Sequence, residues 1–332
     1  MAKISVGIVG GAGMTGGELL RLLLNHPNTE LKFIHSRSQA GAPISNVHSD
    51  LTGESDLTFT DTIEKVDVMF LCLGHGESRV FLEANPVDQS TIVIDLSQDF
   101  RLEDGTVEGR NMQLGNRQFV YGLPEMQKDK IQQASNIANP GCFATAIQLA
   151  LVPLAAAGKL NSQVHISAIT GSTGAGLKPQ PTTGFSWRNN NISSYKVFKH
   201  QHLYEITQSL KSLQPDFEQS IKFVPYRGNF SRGILASVYL ESDLSEEEAV
   251  AIYQQHYSDH PFTFLIDKEV DLKLVVNTNK CLLRVEKHDD TLLITSAIDN
   301  LLKGAVGQAV QNMNLIFGLE ESTGLKLKPI AF

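Results

Sequence analysis

Residues 4–25 read ISVGIVGGAGMTGGELLRLLLN and join the signals of a strand, a glycine turn and a helix. Ile4–Val9 is a short apolar run, typical of a buried strand. Residues 10–16 follow, and every third one is a glycine. Glu18–Asn25 then places apolar side chains at helical spacing. The stretch therefore predicts a strand, a tight turn and a helix, which is the opening unit of a βαβ fold.

The glycine turn suits a dinucleotide. Glycines let the turn close, let backbone N–H groups approach a pyrophosphate, and let helix and strand pack tightly. The helix N-terminus adds partial positive charge for the phosphates. The spacing differs by one residue from the common G-x-G-x-x-G, so a turn required only by packing is the alternative.

The end of the second predicted strand, Leu31–His35, indicates which dinucleotide. A residue that hydrogen bonds to the ribose 2′-hydroxyl of NAD would be Asp or Glu at this point. The chain instead carries Ser36, Arg37 and Ser38. A guanidinium and two hydroxyls suit a 2′-phosphate, which favours NADP; a solvated arginine at a strand end is the alternative.

Further along, strand and helix signals alternate, with apolar strands at Val66–Leu73 and Thr91–Leu96. Continuous apolar strands in a β-α-β rhythm predict an α/β fold with a parallel, Rossmann-type sheet covered on both faces. The pattern changes near residue 140. We therefore expect a cofactor domain over residues 1–142, completed by a C-terminal helix at about 303–332. An α+β substrate domain would occupy residues 143–302.

The composition of the chain limits the classes of function that it can have. The 332 residues are 42% hydrophobic and 19% charged, with a net charge of −8. A net negative charge argues against nucleic acid or a membrane surface as a general partner, because binding either one needs a basic face. No apolar run approaches the roughly 20 residues that span a bilayer, and the N-terminus lacks a signal-peptide pattern. Three cysteines suit a reducing cytosol, so we expect a cytoplasmic enzyme.

The segment 139–145, NPGCFAT, carries the clearest chemical signal. Pro140 and Gly141 mark a helix start, which places Cys142 at a helix N-terminus. There the helix dipole favours thiolate over thiol, and the free N–H groups can stabilise an oxyanion. The alternative is a small buried hydrophobe, which is our interpretation of Cys72 and Cys281.

A thiolate beside a nicotinamide suggests attack on an acyl carbon, a thioester, and its reduction by hydride to an aldehyde. This scheme needs an acid/base group, and His200 and His202, with Glu205 to orient one ring, are the candidates. Two further alternatives are a metal site, for which no third ligand stands at suitable spacing, and histidines without a role.

Basic residues concentrate between Thr170 and Leu235, where eight stand against three acids. A positive field inside an acidic chain predicts a small anionic ligand. The alternative is an exposed loop with a chance surplus of charge.

With these residues in hand, nearly the whole chain resembles the N-acetyl-γ-glutamyl-phosphate reductases of arginine biosynthesis. The matching segments are GGAGMTGGELL (10–20), DLSQDFR (95–101), YGLPE (121–125), NPGCFAT (139–145), STGAG (172–176) and DNLLKGAVGQAVQNMN (299–314). The segments Tyr195–Val197, His200–Ile206 and Arg232-Gly233 match as well. Aspartate-semialdehyde dehydrogenases share the architecture and the thiolate chemistry but match less well.

The resemblance implies NADPH-dependent reduction of a small anionic acyl phosphate by a homotetramer or homodimer. Cys142 would be the nucleophile, and His202 or His200, with Glu205, would handle protons. Cofactor-binding candidates are Gly10, Gly13, Met14, Thr15, Gly16, Ser36, Arg37, Ser38, Gly74, Ser172, Gly174, Gly304 and Asn312. Substrate-binding candidates are Arg101, Asn139, Lys178, Arg227 and Arg232. No metal is expected.

The chain departs from the family pattern on the substrate side. Leu177-Lys178 replaces the usual Arg-Lys, Gln201 replaces an arginine between the two histidines, and Arg227 stands where none is usual. We hypothesise a changed acyl group, since a new guanidinium could pair with a second carboxylate, as on an N-succinyl substrate. Drift with acetyl retained is the alternative. Other classes left open are an aspartate-semialdehyde dehydrogenase and a non-catalytic NADP-binding redox sensor switched at Cys142.

Overall fold

The computed structural model describes residues 3–103, 106–107, 110–177 and 179–330. Packing divides this part of the chain into two compact units. The first runs to Pro140 and resumes over Ala305–Lys326. The second comprises Gly141–Gly304 and the chain from Leu327 onward.

The chain up to Pro140 alternates strands and helices. Its elements are β1 (Ile4–Val9), α1 (Met14–Leu24), β2 (Thr29–His35), β3 (Val68–Leu71), α2 (Glu77–Ala84), β4 (Ile92–Asp95), β5 (Gln113–Leu114), β6 (Arg117–Gln118), β7 (Val120–Tyr121), α3 (Pro124–Gln132) and β8 (Asn136–Ala138).

Six of these strands form one parallel sheet in the order β2-β1-β3-β4-β8-β7, while β5 and β6 form a separate two-stranded ribbon. β1 lies between β2 and β3, so the strand order reverses at β1. Open α/β sheets bind ligands at such a point, outside the carboxyl ends of the strands. The predicted parallel α/β sheet is confirmed, and its topology puts the glycine turn after β1 at the ligand-binding edge.

The chain from Gly141 contains longer elements and a mixed sheet. They are α4 (Cys142–Ala156), β9 (Val164–Thr170), α5 (Phe185–Arg188), β10 (Ser193–Ser194), α6 (His202–Leu213), β11 (Ile221–Arg227), β12 (Ile234–Glu241), α7 (Glu246–Tyr257), β13 (Thr263–Leu265), β14 (Cys281–His288) and β15 (Thr291–Ile298). A π-helical turn at Leu302–Val306 leads into α8 (Gly307–Ile316), which belongs to the first unit.

The sheet of the second unit has the order β10-β11-β9-β12-β15-β14-β13. β14 and β15 pair antiparallel and form a hairpin. α4 is buried along almost its whole length and packs against the sheet, α6 and α7. The start of α4 is therefore held firmly between the sheet and α6.

Pro153 lies inside α4, where it cannot donate a hydrogen bond to the carbonyl of Leu149. The hydroxyl of Tyr257, on α7, donates to that carbonyl at 2.6 Å. A buried tyrosine thus replaces the missing backbone donor, so α4 continues for another turn and α7 is tied to it.

Several predicted bounds needed correction. α1 begins at Met14 rather than at Glu18, because Gly13 already serves as its N-cap. The C-terminal helix predicted at about 303–332 is a π-helical turn followed by α8, which ends at Ile316. Within the described ranges, no helix has both the length and the apolar character needed to cross a bilayer.

Candidate active site

Cys142 is the first residue of α4, and Gly141 is the N-cap. In the first turn of a helix the backbone N–H groups lack intrahelical acceptors, and their partial positive charge favours an anionic sulfur. Cys142 is half-buried, whereas Cys72 and Cys281 are buried. Burial raises the pKa of the Cys72 thiol to about 12, so that sulfur stays protonated. Position and exposure therefore single out Cys142 as the candidate nucleophile.

His202 lies directly against the start of this helix. A methyl group placed on Gly141 would come within 2.3 Å of the His202 Nε2 atom. The imidazole thus occupies the space that a side chain at 141 would take, one residue before the sulfur. His202 is itself buried and begins α6, whose packing on α4 brings the ring there.

Glu205 connects the two helix starts. Its Oε2 atom accepts a hydrogen bond from the Gly141 backbone N–H at 3.0 Å, and its Oε1 atom lies 3.9 Å from His202 Nε2. The carboxylate is buried, so water screens its charge poorly. It can therefore orient the imidazole and stabilise its protonated form.

His200 has a different environment. The rings of Phe143, Tyr195 and Phe223 surround it at centroid distances of 5.5, 5.8 and 5.5 Å. Burial, followed by the charges of His202 and Lys196, lowers the pKa of His200 to about 2. Its Nδ1 atom accepts the backbone N–H of His202 at 3.3 Å. His200 is thus a neutral ring that helps to hold the backbone of His202.

Tyr195 was not singled out as a site residue by the sequence analysis, yet it belongs to this cluster. Burial first, and then the charge of Cys142, raise the pKa of its phenol to about 12. The Arg227 guanidinium carbon lies 4.7 Å from the centre of its ring, and the guanidinium hydrogen bonds to the phenol. Only the fold brings these residues together, because Tyr195 stands on a loop and Arg227 ends β11.

The cations proposed for substrate binding differ in their hydrogen-bond and ion-pair partners. Arg232 pairs with Asp299 at 3.0 Å, so its charge is compensated. Arg101 is buried in the first unit and donates to the Leu96 carbonyl at 2.7 Å. Lys178 lies outside the described residues. Arg227 is half-buried, and in the described part of the chain no carboxylate pairs with it.

Arg188 was also missed, and it holds the loop beside Arg227. Its guanidinium donates to the carbonyl of Thr182 at 2.9 Å, to that of Asn191 at 3.2 Å and to that of Arg227 at 2.6 Å. It donates further to the Ser193 hydroxyl at 3.1 Å. These contacts use the donors of Arg188 and tie the loop to the end of β11.

Three residues proposed for the cofactor lie in the second unit. Ser172 and Gly174 form a 3-10 turn that follows β9, and neither is buried. A methyl group on Gly304 would come within 2.8 Å of the Cys142 Cβ atom. Gly304 therefore lets the π-helical turn pack closely against the start of α4.

The glycine turn of the first unit has the shape of a phosphate cradle. Gly10 adopts a φ of +81°, and a methyl group there would meet the Cys72 carbonyl oxygen at 2.5 Å. Gly13 caps α1, and a methyl group on Gly16 would press against the Gly11 backbone at 2.6 Å. Met14 begins α1, and the Thr15 hydroxyl hydrogen bonds to the Cys72 thiol. Backbone N–H groups at this helix start can approach a pyrophosphate.

The neighbouring strand ends lie at the same edge of the sheet. Ser36 is buried, whereas Arg37 and Ser38, which follow β2, are exposed to solvent. Gly74 follows β3, and its N–H donates to the Glu77 carboxylate at 3.0 Å. The carboxyl ends of parallel strands share one edge, so these segments and the glycine turn border one crevice. The residues fit an adenine dinucleotide carrying a 2′-phosphate, for which Arg37 offers an exposed cation.

Asn139 and Asn312 are fully buried in the first unit. The Asn312 amide donates to the Gly122 carbonyl at 2.9 Å and to Asn139 Oδ1 at 3.2 Å, and the Asn139 amide donates to the Ala305 carbonyl at 3.0 Å. In the structure these side chains join α8 to the end of β8. All three hydrogen bonds therefore connect residues of the first unit to one another.

Models of two domains together match most of the chain. Residues 5–134 match the NAD binding domain of semialdehyde dehydrogenases, and residues 142–300 match their dimerisation domain. Among solved structures, an aspartate semialdehyde dehydrogenase II of Vibrio cholerae, complexed with ASA, aligns with a TM-score of 0.69 at 16% identity, covering 96% of this chain and 99% of that one. One from Candida albicans with NADP aligns with a TM-score of 0.66 at 14% identity, covering 95% and 99%. These structures share the fold.

Curated relatives are much closer in sequence. The N-acetyl-gamma-glutamyl-phosphate reductase of Parabacteroides distasonis is 55% identical over 99% of this chain and 100% of its own length. Those of Bacteroides fragilis and Christiangramia forsetii are each 54% identical, over 99% and 98% of this chain and 100% and 98% of their own lengths. The chain therefore belongs to the N-acetyl-γ-glutamyl-phosphate reductase family of semialdehyde dehydrogenases.

Proposed function

We propose that the chain reduces an N-acyl-γ-glutamyl phosphate to the N-acyl-glutamate semialdehyde in arginine biosynthesis, with NADPH as reductant and release of phosphate. The relatives that share more than half of its residues over their full length are named for this reaction. The observation that carries the proposal is the placement of His202 Nε2 against Gly141, one residue before the helix-start thiol Cys142.

Cys142 acts as the nucleophile. Its thiolate attacks the γ-carbonyl carbon of the acyl phosphate, the bond from that carbon to the phosphate oxygen breaks, and a thioester remains. N–H groups of the first turn of α4 are suited to hold the oxyanion that forms during attack. Bound NADPH supplies the hydride that reduces the thioester carbon.

His202 moves the proton. It donates to the carbonyl oxygen as hydride arrives, which gives a hemithioacetal, and takes the proton back as the carbon–sulfur bond breaks. The aldehyde leaves and the thiolate is restored. Glu205 is the positioning residue, because it contacts both His202 and the backbone before Cys142. The low pKa of His200 makes that ring unsuitable as the acid, which favours His202 of the two histidines left open by the sequence.

NADPH is held by the first unit. We assign the pyrophosphate to the turn at Gly10, Gly13 and Gly16 and the 2′-phosphate to Arg37, with Ser36 and Ser38 beside it. The close fit of Gly10 to the Cys72 carbonyl and of Gly16 to the Gly11 backbone closes the tight turn that presents the start of α1 at the ligand-binding edge. The second unit supplies the substrate-binding cations and, we propose, the contacts of a homodimer or homotetramer. We place the enzyme in the cytoplasm, where its three free cysteines stay reduced.

Replacing Cys142 by serine tests the proposal. We expect the C142S variant to lose phosphate-dependent NADP reduction by N-acetyl-glutamate semialdehyde, because serine is ionised far less than cysteine. NADPH binding, measured by fluorescence titration, should be retained. The matched control is the C281S variant, which should stay active. Equal activity in C142S would refute the thioester route.

The same assay separates the other classes. Turnover of aspartate semialdehyde in preference to the N-acylated substrate would assign the chain to aspartate-semialdehyde dehydrogenases. Binding of NADPH without turnover of either aldehyde would favour a redox sensor.

A further inference from the structure

Arg227 is a cation that has no carboxylate partner among the described residues. It ends β11 beside the candidate active site, and its positive charge contributes to lowering the pKa of both His200 and Arg188. Its Nε atom is buried and makes no hydrogen bond among the described residues. A guanidinium that is partly withdrawn from water is stabilised when an anion meets it.

The neighbours of Arg227 leave its charge uncompensated. Tyr195 supports the guanidinium through its ring and hydroxyl, but a phenol with a pKa of about 12 stays neutral at physiological pH. Arg188 contributes a second positive charge. Arg232, by contrast, has Asp299 as its partner. Of the substrate-binding arginines in the second unit, Arg227 is thus the one whose charge awaits an external anion.

The site must already bind two anionic groups, the γ-phosphate and the α-carboxylate of the glutamyl unit. Both groups are common to every N-acylated substrate, so a guanidinium that bound either of them could not distinguish one acyl group from another. The uncompensated charge of Arg227 points to a third anion, and the part of the substrate that can vary is the acyl group on nitrogen. A planar guanidinium held on an aromatic ring suits a bidentate carboxylate.

We propose that Arg227, supported by Tyr195, binds a carboxylate at the far end of the substrate's N-acyl group, so that the chain prefers a dicarboxylic acyl group such as succinyl over acetyl. This inference rests on the proposed function, because it names the substrate of that same site. It makes Arg227 a specificity-determining residue and leaves the chemistry at Cys142 unchanged.

The test compares three aldehydes in the phosphate- and NADP-dependent reverse reaction: N-acetyl-, N-succinyl- and N-succinamyl-glutamate semialdehyde. Succinamyl has the length of succinyl but carries a neutral amide in place of the carboxylate. We expect wild-type kcat/KM for N-succinyl to exceed that for N-succinamyl by about 10- to 100-fold, the range that a hydrogen-bonded charge contributes. A wild-type ratio near one, or a preference for acetyl, would overturn the inference.

The variant R227Q keeps a polar side chain of shorter reach and removes the charge. We expect its ratio of kcat/KM between N-succinyl and N-succinamyl to fall close to one. The matched control K222Q removes a positive charge from the same strand and should leave the ratio as in wild type. If R227Q fails to fold, the wild-type ratio between N-succinyl and N-succinamyl still tests whether the enzyme recognises the terminal carboxylate.

Other results assign Arg227 elsewhere. If R227Q lost kcat/KM equally for all three aldehydes, Arg227 would bind a group common to them. If R227Q raised the KM for inorganic phosphate and left the ratio unchanged, Arg227 would bind the phosphate. Either result refutes the inference. Wild-type turnover of none of the three would instead remove the proposed function itself.

Discussion

The imidazole of His202 and the α-carbon of Gly141 are in direct contact, so close that a methyl group on Gly141 would lie 2.3 Å from His202 Nε2. The two residues stand at the starts of α6 and α4. Glu205 reinforces the contact by accepting the Gly141 N–H at 3.0 Å. The proton transfer that we propose for His202 therefore depends on the absence of a side chain one residue before the proposed nucleophile, Cys142.

Replacing Gly141 by alanine should disable the enzyme without unfolding it. The backbone at Gly141, with φ −73° and ψ 150°, is one that alanine adopts readily, so the cost is the collision with His202. A displacement of about 1 Å can cost about 100-fold in rate, and we expect a fall in kcat of that order with the KM for NADP nearly unchanged. Steady-state kinetics of the reverse reaction measure both.

A double-mutant cycle identifies the collision as the cause. In a His202→Ala background the space beside residue 141 is open, so adding Gly141→Ala should lower kcat little further. Additive losses would show that Gly141 matters through the backbone alone.

The two histidines should differ sharply in catalysis. We expect His202→Asn to lower kcat by about 100- to 10,000-fold, the contribution of a general acid/base. His200→Asn should cost less, because burial and nearby positive charges keep that ring neutral. A larger loss for His200→Asn would transfer the proton-moving role to His200.

His200 should also make stability depend on pH. The unfolded chain protonates this imidazole below its ordinary pKa of 6.5, whereas the folded chain keeps it neutral down to a pKa of about 2. The unfolded state then binds the extra proton, so the folded state loses stability as pH falls from 6.5, by about 2 kcal/mol at pH 5.

His200→Gln removes this penalty. In thermal melts, the advantage in Tm of wild type over the variant should therefore shrink between pH 7.5 and pH 5. A difference in Tm that is constant with pH would contradict the neutral assignment of His200.

Arg37 should determine the choice of cofactor. If it binds the 2′-phosphate, Arg37→Ala should raise the KM for NADP by about 10- to 100-fold and alter the KM for NAD much less. The control Lys32→Ala removes a cation from the neighbouring part of β2, where Lys32 pairs with Glu30, and should change neither KM. Equal effects of Arg37→Ala on both cofactors would place the 2′-phosphate elsewhere.

The capping box of α7 allows a test of stability away from the site. The Ser245 hydroxyl accepts the Glu248 N–H at 3.2 Å, and the Glu248 carboxylate accepts the Ser245 N–H at 2.9 Å. Ser245→Ala should cost about 1 kcal/mol and lower Tm without changing kcat. Gln219→Ala, at an exposed position outside any helix, serves as the control and should leave Tm unchanged.

Local patterns in the sequence were sufficient to predict several strands and helices. The bounds predicted for β1 agree with the structure, and the strands predicted over Leu31–His35 and Thr91–Leu96 correspond to β2 and β4. α2 and α3 were missed because each buries only a few residues, so their helical periodicity is weak. α3 is also interrupted, with non-helical dihedral angles at Gln127.

The sequence by itself determined the parallel sheet, the glycine turn and the helix-start position of Cys142, because strand runs, turn glycines and helix caps are short-range signals. Only the tertiary structure decided which histidine meets Gly141, that His200 is buried and neutral, and that Tyr195 supports Arg227. These relationships join residues far apart in the chain through the packing of α4, α6 and β11. Burial and long-range contacts determine the proton affinity of His200 and leave the charge of Arg227 uncompensated. The spacing of neighbouring residues in the sequence predicts neither.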